Sequence, residues 1–198
     1  PAVPAERVPQ VLAKYEGEIQ ELKIKVAEKG QSLADDIARV AAARDALPNA
    51  RLKVDANMGY TLAGALDALR KLCEYGIIYA EQPVASIEDM AALRFAIAKE
   101  GLPARIAADE SIRRAEDPLK VARANAADLM VIKAAPLGGV RRALALVEQA
   151  QLPAVVSSAL ESSVGIATGA SLAASLPTLR YGCGLGTVSL MAEDVTDE

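Results

Sequence analysis

Six short apolar stretches of this chain each end on one polar residue, and those residues recur at nearly even intervals. Lys25, Asp55, Glu81, Asp109, Lys133 and Ser157 are separated by 30, 26, 28, 24 and 24 positions. That interval suits a strand, a returning helix and two connections. Strand patterns fall at 19–27, 51–56, 77–82, 104–109, 128–134, 153–158 and 179–184. Helical patterns fill the gaps at 5–16, 32–47, 61–75, 86–100, 115–126, 138–150 and 162–175. The helix over 61–75 shows the amphipathic spacing, with Leu62, Ala65, Leu66, Leu69 and Leu72 on one side. "LPNAR", "EYG", "EGLP" and "QAQLP" separate helices from the strands that follow.

Alternating strands and helices imply a parallel sheet, since a parallel neighbour is reached only through a crossover. An open doubly wound sheet gathers ligands at one switch point, whereas a barrel brings every strand end to a single mouth. One polar residue per strand end favours the barrel. The expected fold class is α/β, a TIM-like (β/α)7β barrel, formed as one domain over 1–198. A chain of 198 residues that is 52% hydrophobic can fill such a core, and without tryptophan and with one phenylalanine it must do so with Ala, Leu, Val and Ile.

The composition excludes several classes of function. With a net charge of −4 and no basic cluster, the chain carries no nucleic-acid footprint. No apolar run approaches the ~20 residues of a membrane span, and no leader opens the sequence. Cys73 and Cys183 fall in separate patterns and read as reduced thiols, so a cytoplasmic protein is expected. There is no histidine. Ser-His-Asp and Cys-His catalysis and histidine zinc sites are thereby excluded, and proton transfer falls to Lys, Asp, Glu or Tyr.

"KVDANMG", "YAEQPV" and "IAADES" end three successive strands on Asp55, Glu81 and Asp109. One such acid is ordinarily a helix cap or a turn former. Three in the inward register would repel one another unless a cation joined them, and all-oxygen ligation suits Mg²⁺ or Mn²⁺. In "LKIKVAEKG" the side chains alternate, so Lys23 and Lys25 share the face opposite Leu22, Ile24 and Val26. Edge protection is the plain explanation for paired strand lysines. Beside a cation-binding trio, with Lys133 of "VIKAAP" pointing inward from another strand, they read instead as proton-transfer groups.

In order and spacing, "KIK", "DAN", "EQP", "ADE" and "IKAAPLGG" resemble the enolase superfamily, and within it the muconate-lactonising subgroup. "VVSSALESSVG" and "YGCGLGT" resemble the actinobacterial o-succinylbenzoate-forming branch of menaquinone biosynthesis, over about 18–194. The resemblance implies that Asp55, Glu81 and Asp109 ligate Mg²⁺, with Asn57 and Glu110 beside them. It implies Lys25 as the base acting alpha to a substrate carboxylate, Lys23 as its partner, and Lys133 as the opposing lysine near the enediolate. Ser157, Gly184 and Gly186 match positions that hold the substrate's carboxylate tail. Ala159 departs from the pattern where some members carry another serine, and the first barrel strand is reduced to "PAVP". The superfamily's α+β capping domain is not recognisable, so the chain reads as the barrel portion of a longer enzyme.

The implied activity is a Mg²⁺-dependent dehydration of a small-molecule carboxylate, with no nucleic-acid or membrane partner. N-succinylamino-acid racemisation, with Lys25 and Lys133 on opposite faces, is the alternative. Remoter readings are a Schiff-base aldolase using Lys133 and a non-catalytic barrel fragment.

Overall fold

A computed structural model describes residues 1–15, 19–114 and 116–196 of the chain. It divides into two compact units, Pro1–Ala107 and Ala108–Glu198. Three expectations touch positions outside the described residues: the helix over 5–16 at Glu16, the resemblance at Glu18, and the helix over 115–126 at Ala115.

The first unit opens with a 3₁₀ turn, Ala5–Arg7, that runs into α1 (Val8–Leu12). It continues through β1 (Glu21–Lys25), α2 (Leu33–Ala46), β2 (Arg51–Asp55), α3 (Leu62–Leu72), β3 (Ile77–Glu81), α4 (Ile87–Glu100) and β4 (Arg105–Ala108), whose last residue opens the second unit. Helices α2, α3 and α4 begin where a side chain can meet the free N–H groups of the first turn. Ser32 accepts from Asp35 N–H at the start of α2, and the Asp35 carboxylate accepts in return from Ser32 N–H at 2.7 Å. Thr61 and Ser86 do the same for α3 and α4 through Gly64 and Asp89. Gly101 ends α4 in a left-handed conformation, φ 68°, where a side chain would be strained.

Pairing is parallel throughout this unit, and its register layers the inward face. Glu21 lies beside Arg51, Lys23 beside Lys53, and Lys25 beside Asp55. Asp55 is in turn beside Glu81, and Glu81 beside Ala107. The opposite face carries Leu22, Ile24, Leu52 and Val54 toward the helices, and Ile24 and Leu52 are fully buried with Val40, Leu69, Leu72 and Met90. Each large side chain buried in this way contributes about 1.5–3 kcal/mol.

The second unit carries α5 (Glu110–Arg113), α6 (Lys120–Arg123), β5 (Leu129–Ile132), α7 (Val140–Ala150), β6 (Ala154–Val156) and α8 (Ser163–Ala174), followed by a 3₁₀ turn over Thr187–Leu190. β5 and β6 are parallel, with Val131 beside Val155. Two expectations are corrected here. The helix over 115–126 is reduced to α6, because Pro118 has no N–H and biases Asp117 away from the helical region. The strand over 179–184 is absent: Gly184 alone makes a bridge, parallel to Ser157, in a stretch where glycine stands at 182, 184 and 186. Among the described residues the chain therefore has six strands where seven were expected.

Candidate active site

In the first unit the ends of β1, β2 and β3 bring four charges together. Asp55 and Glu81 are register partners, each 1% exposed. Two carboxylates buried side by side need positive charge between them. Lys23 supplies it, its ammonium lying 2.9 Å and 3.1 Å from the two Glu81 oxygens and 3.1 Å from Asp55 Oδ2. Lys25 donates to the same Asp55 oxygen at 2.6 Å and also to Asn57 Oδ1. The expected grouping of Lys23, Lys25, Asp55, Glu81 and Asn57 is thus present.

Burial pushes the Lys23 pKa down, but the neighbouring Glu81 and Asp55 charges outweigh it and hold the ammonium above the ordinary lysine range. Burial likewise pushes the Asp55 carboxyl up, and the charges of Lys23 and then Lys25 hold it below the usual carboxylate range. The Lys23 ammonium thus bridges the two carboxylates that hold its charge. Asp55 keeps part of the turn-former role as well, since its Oδ1 accepts Asn57 N–H at 3.1 Å.

In the second unit Asp109 and Lys133 form a buried pair, 2% and 8% exposed. Lys133 donates to the two Asp109 oxygens at 2.9 Å and 2.7 Å, and Arg113 Nε donates to Oδ1 at 3.1 Å. Arg113 also donates to Glu110 Oε1 at 2.8 Å. Asp109 precedes α5 but makes no side-chain capping bond to it, so the helix-cap reading fails at this position. Ser157 and Ser158 both direct their hydroxyls to Gly184 O, at 3.3 Å and 3.0 Å. A Cβ on Gly184 would lie 3.0 Å from Ser157 Oγ, which explains the glycine by close approach. Gly186 has φ −100° and open space around it, so packing makes no such demand there.

Hard oxygen donors at strand ends suit a divalent cation, and the Lys23 ammonium already sits as a cation across Asp55 and Glu81. Among the described residues no three acidic or cysteine side chains are gathered for metal binding. In the first unit Asp55 and Glu81 offer buried oxygen donors of the kind a divalent cation takes, with lysine ammonium groups at them.

Sequence reasoning missed three buried groups. Lys53, 5% exposed, pairs with Glu21 and lies 5.6 Å from the centre of the Tyr79 ring. Its position two residues before Asp55, on the same face, was the available signal. Ser158, 6% exposed, accepts from Thr187 Oγ1 at 2.9 Å and stands one residue beyond the Ser157 that strand periodicity singles out. Asp36 and Arg39, each 1% exposed, form an ion pair within α2 that the helical pattern does not separate from an ordinary surface pair. Cys73 and Cys183 are free thiols, as expected. No helix among the described residues is long and apolar enough to cross a membrane.

Comparisons with known proteins agree with this architecture. Residues 5–198 match the family described as Enolase C-terminal domain-like. The chain is 55% identical over 198 residues to o-succinylbenzoate synthase of Mycolicibacterium smegmatis, covering all of this chain and 59% of that protein. It is 52% identical over 177 residues to o-succinylbenzoate synthase of Thermobifida fusca, covering 89% of this chain and 54% of that one. Among solved structures, muconate cycloisomerase from Pseudomonas fluorescens matches with TM-score 0.80 and 30% identity, covering 98% of this chain and 53% of that chain. A dipeptide epimerase from Enterococcus faecalis matches with TM-score 0.79 and 27% identity, over 96% and 54%. The chain spans between half and three fifths of these proteins' lengths. The alternation of strand and helix, the lysine-bound strand-end acids and the match over 5–198 together place the chain in the enolase C-terminal domain-like family.

Proposed function

We propose that residues 1–198 are barrel-domain sequence of an o-succinylbenzoate synthase. This enzyme is a hydro-lyase acting on 2-succinyl-6-hydroxy-2,4-cyclohexadiene-1-carboxylate. One observation carries the chemistry: Lys25 lies beside Asp55 while Lys23 is locked on Glu81 and Asp55, so a proton-transfer lysine and a fixed-charge lysine share one strand face. The named relatives support the choice of reaction.

In this reading Lys25 Nζ takes the proton alpha to the ring carboxylate, and the C–H electron pair passes into the enediolate. The enediolate collapses to form the ring double bond and expels the hydroxyl, which leaves as water with the proton returned by Lys25. Substrate and product thus differ by one water, with no change in oxidation balance. Lys23 and Lys133 act on the developing anion electrostatically. Asp55, Glu81 and Asp109 would hold Mg²⁺, with Asn57 and Glu110 supporting them. When bound, that ion would neutralise the substrate carboxylate and so lower the barrier to proton removal. Ser157, Gly184 and Gly186 would receive the succinyl carboxylate.

The full-length protein tests this reading. Proton NMR in deuterated solvent is expected to show o-succinylbenzoate formation, and EDTA to stop it. Racemisation of N-succinylamino acids at a higher kcat/KM than dehydration would overturn the assignment.

A further inference from the structure

We propose that Asp36 and Arg39 of α2, with Tyr60, are positioning residues that fix the backbone immediately after Lys25. The proposal rests on the reading of Lys25 as the base. Arg39 Nη1 donates to the Lys25 carbonyl at 2.7 Å and to Asp36 Oδ1 at 3.2 Å. Its Nε donates to Val3 O at 2.6 Å, and Nη2 donates to Gln31 Oε1. Asp36 Oδ2 accepts Ala27 N–H at 2.9 Å and the Tyr60 hydroxyl at 2.7 Å. One buried ion pair therefore grips the carbonyl of residue 25 and the amide of residue 27.

Stability alone is a poor explanation for this arrangement. A buried ion pair costs desolvation that an apolar pair of similar volume avoids, so its gain lies in holding a geometry. That geometry is unusual: Ala27 has φ 57°, a left-handed conformation uncommon outside glycine. Gly59 packs against it, and a Cβ there would lie 2.6 Å from Ala27 O. Tyr60 follows Gly59, so the turns after β1 and β2 are drawn onto the same carboxylate. The first turn follows Lys25 and the second carries Asn57, and these two residues meet at their side chains. Burial, then the hydrogen bond and charge of Asp36, holds the Tyr60 phenol above its ordinary range and keeps it a donor.

The experiment uses the full-length protein with Tyr60→Phe, Asp36→Asn, Arg39→Lys and Lys25→Ala. It measures kcat and KM for o-succinylbenzoate formation, deuterium wash-in at the alpha carbon, and Mg²⁺ affinity by calorimetry. Asp36→Asn is expected to lower kcat and wash-in together by roughly 30- to 100-fold, the scale of a ~1 Å misplacement. KM should stay within about threefold, because ground-state binding is untouched. Tyr60→Phe should cost roughly 3- to 10-fold, and Arg39→Lys an intermediate loss, since both keep part of the network. Adding Tyr60→Phe to Asp36→Asn should cost nothing further, because Tyr60 acts through Asp36. Unchanged kcat and wash-in in the folded variants, or losses confined to KM, overturn the proposal. Should Asp36→Asn fail to fold, unchanged rates in Tyr60→Phe and Arg39→Lys overturn it equally. Wash-in that survives Lys25→Ala overturns the reading of Lys25, and the positioning role with it. An inactive Lys25→Ala beside a fully active Asp36→Asn overturns the positioning role alone.

Discussion

The Lys25 ammonium lies 2.6 Å from the Asp55 carboxylate because parallel register sets the two residues side by side at the ends of β1 and β2. Both side chains project from the same face, and one residue of slip would turn both away from it. The side chain of Lys25 is 32% exposed and that of Asp55 is 1% exposed. A partly exposed ammonium is thus held by a carboxylate buried beneath it.

Lys25→Ala should abolish alpha-proton exchange and dehydration together, lowering each by at least ~10³-fold, the upper part of the range for one acid–base group. Lys133→Ala should spare measurable exchange, because one-face dehydration needs a single base. Deuterium wash-in followed by NMR on both variants of the full-length protein checks this. Equal losses in the two would instead indicate two bases.

Asp55→Asn removes the carboxylate that both strand lysines use. Divalent-cation affinity should fall by about 10- to 100-fold or more, measured by calorimetry with Mg²⁺ and with Mn²⁺. Lys23 keeps its bonds to Glu81. The variant should therefore stay folded, with a far-UV circular dichroism spectrum matching the parent.

The first three acids and the lysine pair were legible because strand periodicity is rigid. Once "LKIKV" is a strand, Lys23 and Lys25 must share a face, and the register does the rest. The same alternation puts Lys53 on that face, one layer below the strand-end acids. Failures came where short-range pattern meets punctuation. Pro118 cut a helix that the apolar spacing of 115–126 suggests, and glycines at 182, 184 and 186 left "YGCGLG" with one bridge. Asp36 and Arg39 were illegible for another reason. Their burial depends on Val3, Ala27, Gln31 and Tyr60, which are distant in sequence or lie in turns whose path no local pattern predicts.

Arg44 provides a prediction about folding alone. Its guanidinium donates to the carbonyls of Tyr75, Leu47, Pro48 and Ala50 at 3.0, 3.1, 2.9 and 2.8 Å. It closes the end of α2 and ties it to the turn after α3, meeting carbonyls that lack helical partners. Arg44→Ala should lower stability by about 2 kcal/mol, since several acceptors lose a charged donor at once. Arg44→Lys should recover only part, because an ammonium cannot reproduce the planar fork. Urea unfolding of the three proteins checks both values.

The charge pairs also set a pH dependence for the metal-free protein. Asp55 has its pKa lowered in the folded state, against burial, by Lys23 and then Lys25. Its contribution is therefore present above the unfolded value of about 3.9 and is lost as pH falls through the lower folded value. Lys23 is shifted the other way, burial being outweighed by Glu81 and Asp55. Its contribution is fully present below the unfolded value of about 10.4 and fades only as pH rises through the higher folded value. Between those limits the two groups add no slope, so neutral pH lies on a plateau for this cluster. Asp55→Asn should flatten the acid limb, because one carboxylate that must be protonated there is gone. It should also bring the alkaline limb to lower pH, since Lys23 loses one of its two partners. Thermal unfolding from pH 3 to 11 in EDTA, comparing the parent with Asp55→Asn, measures both limbs. Parallel curves for the two proteins would mean that these charges are too well solvated to affect stability.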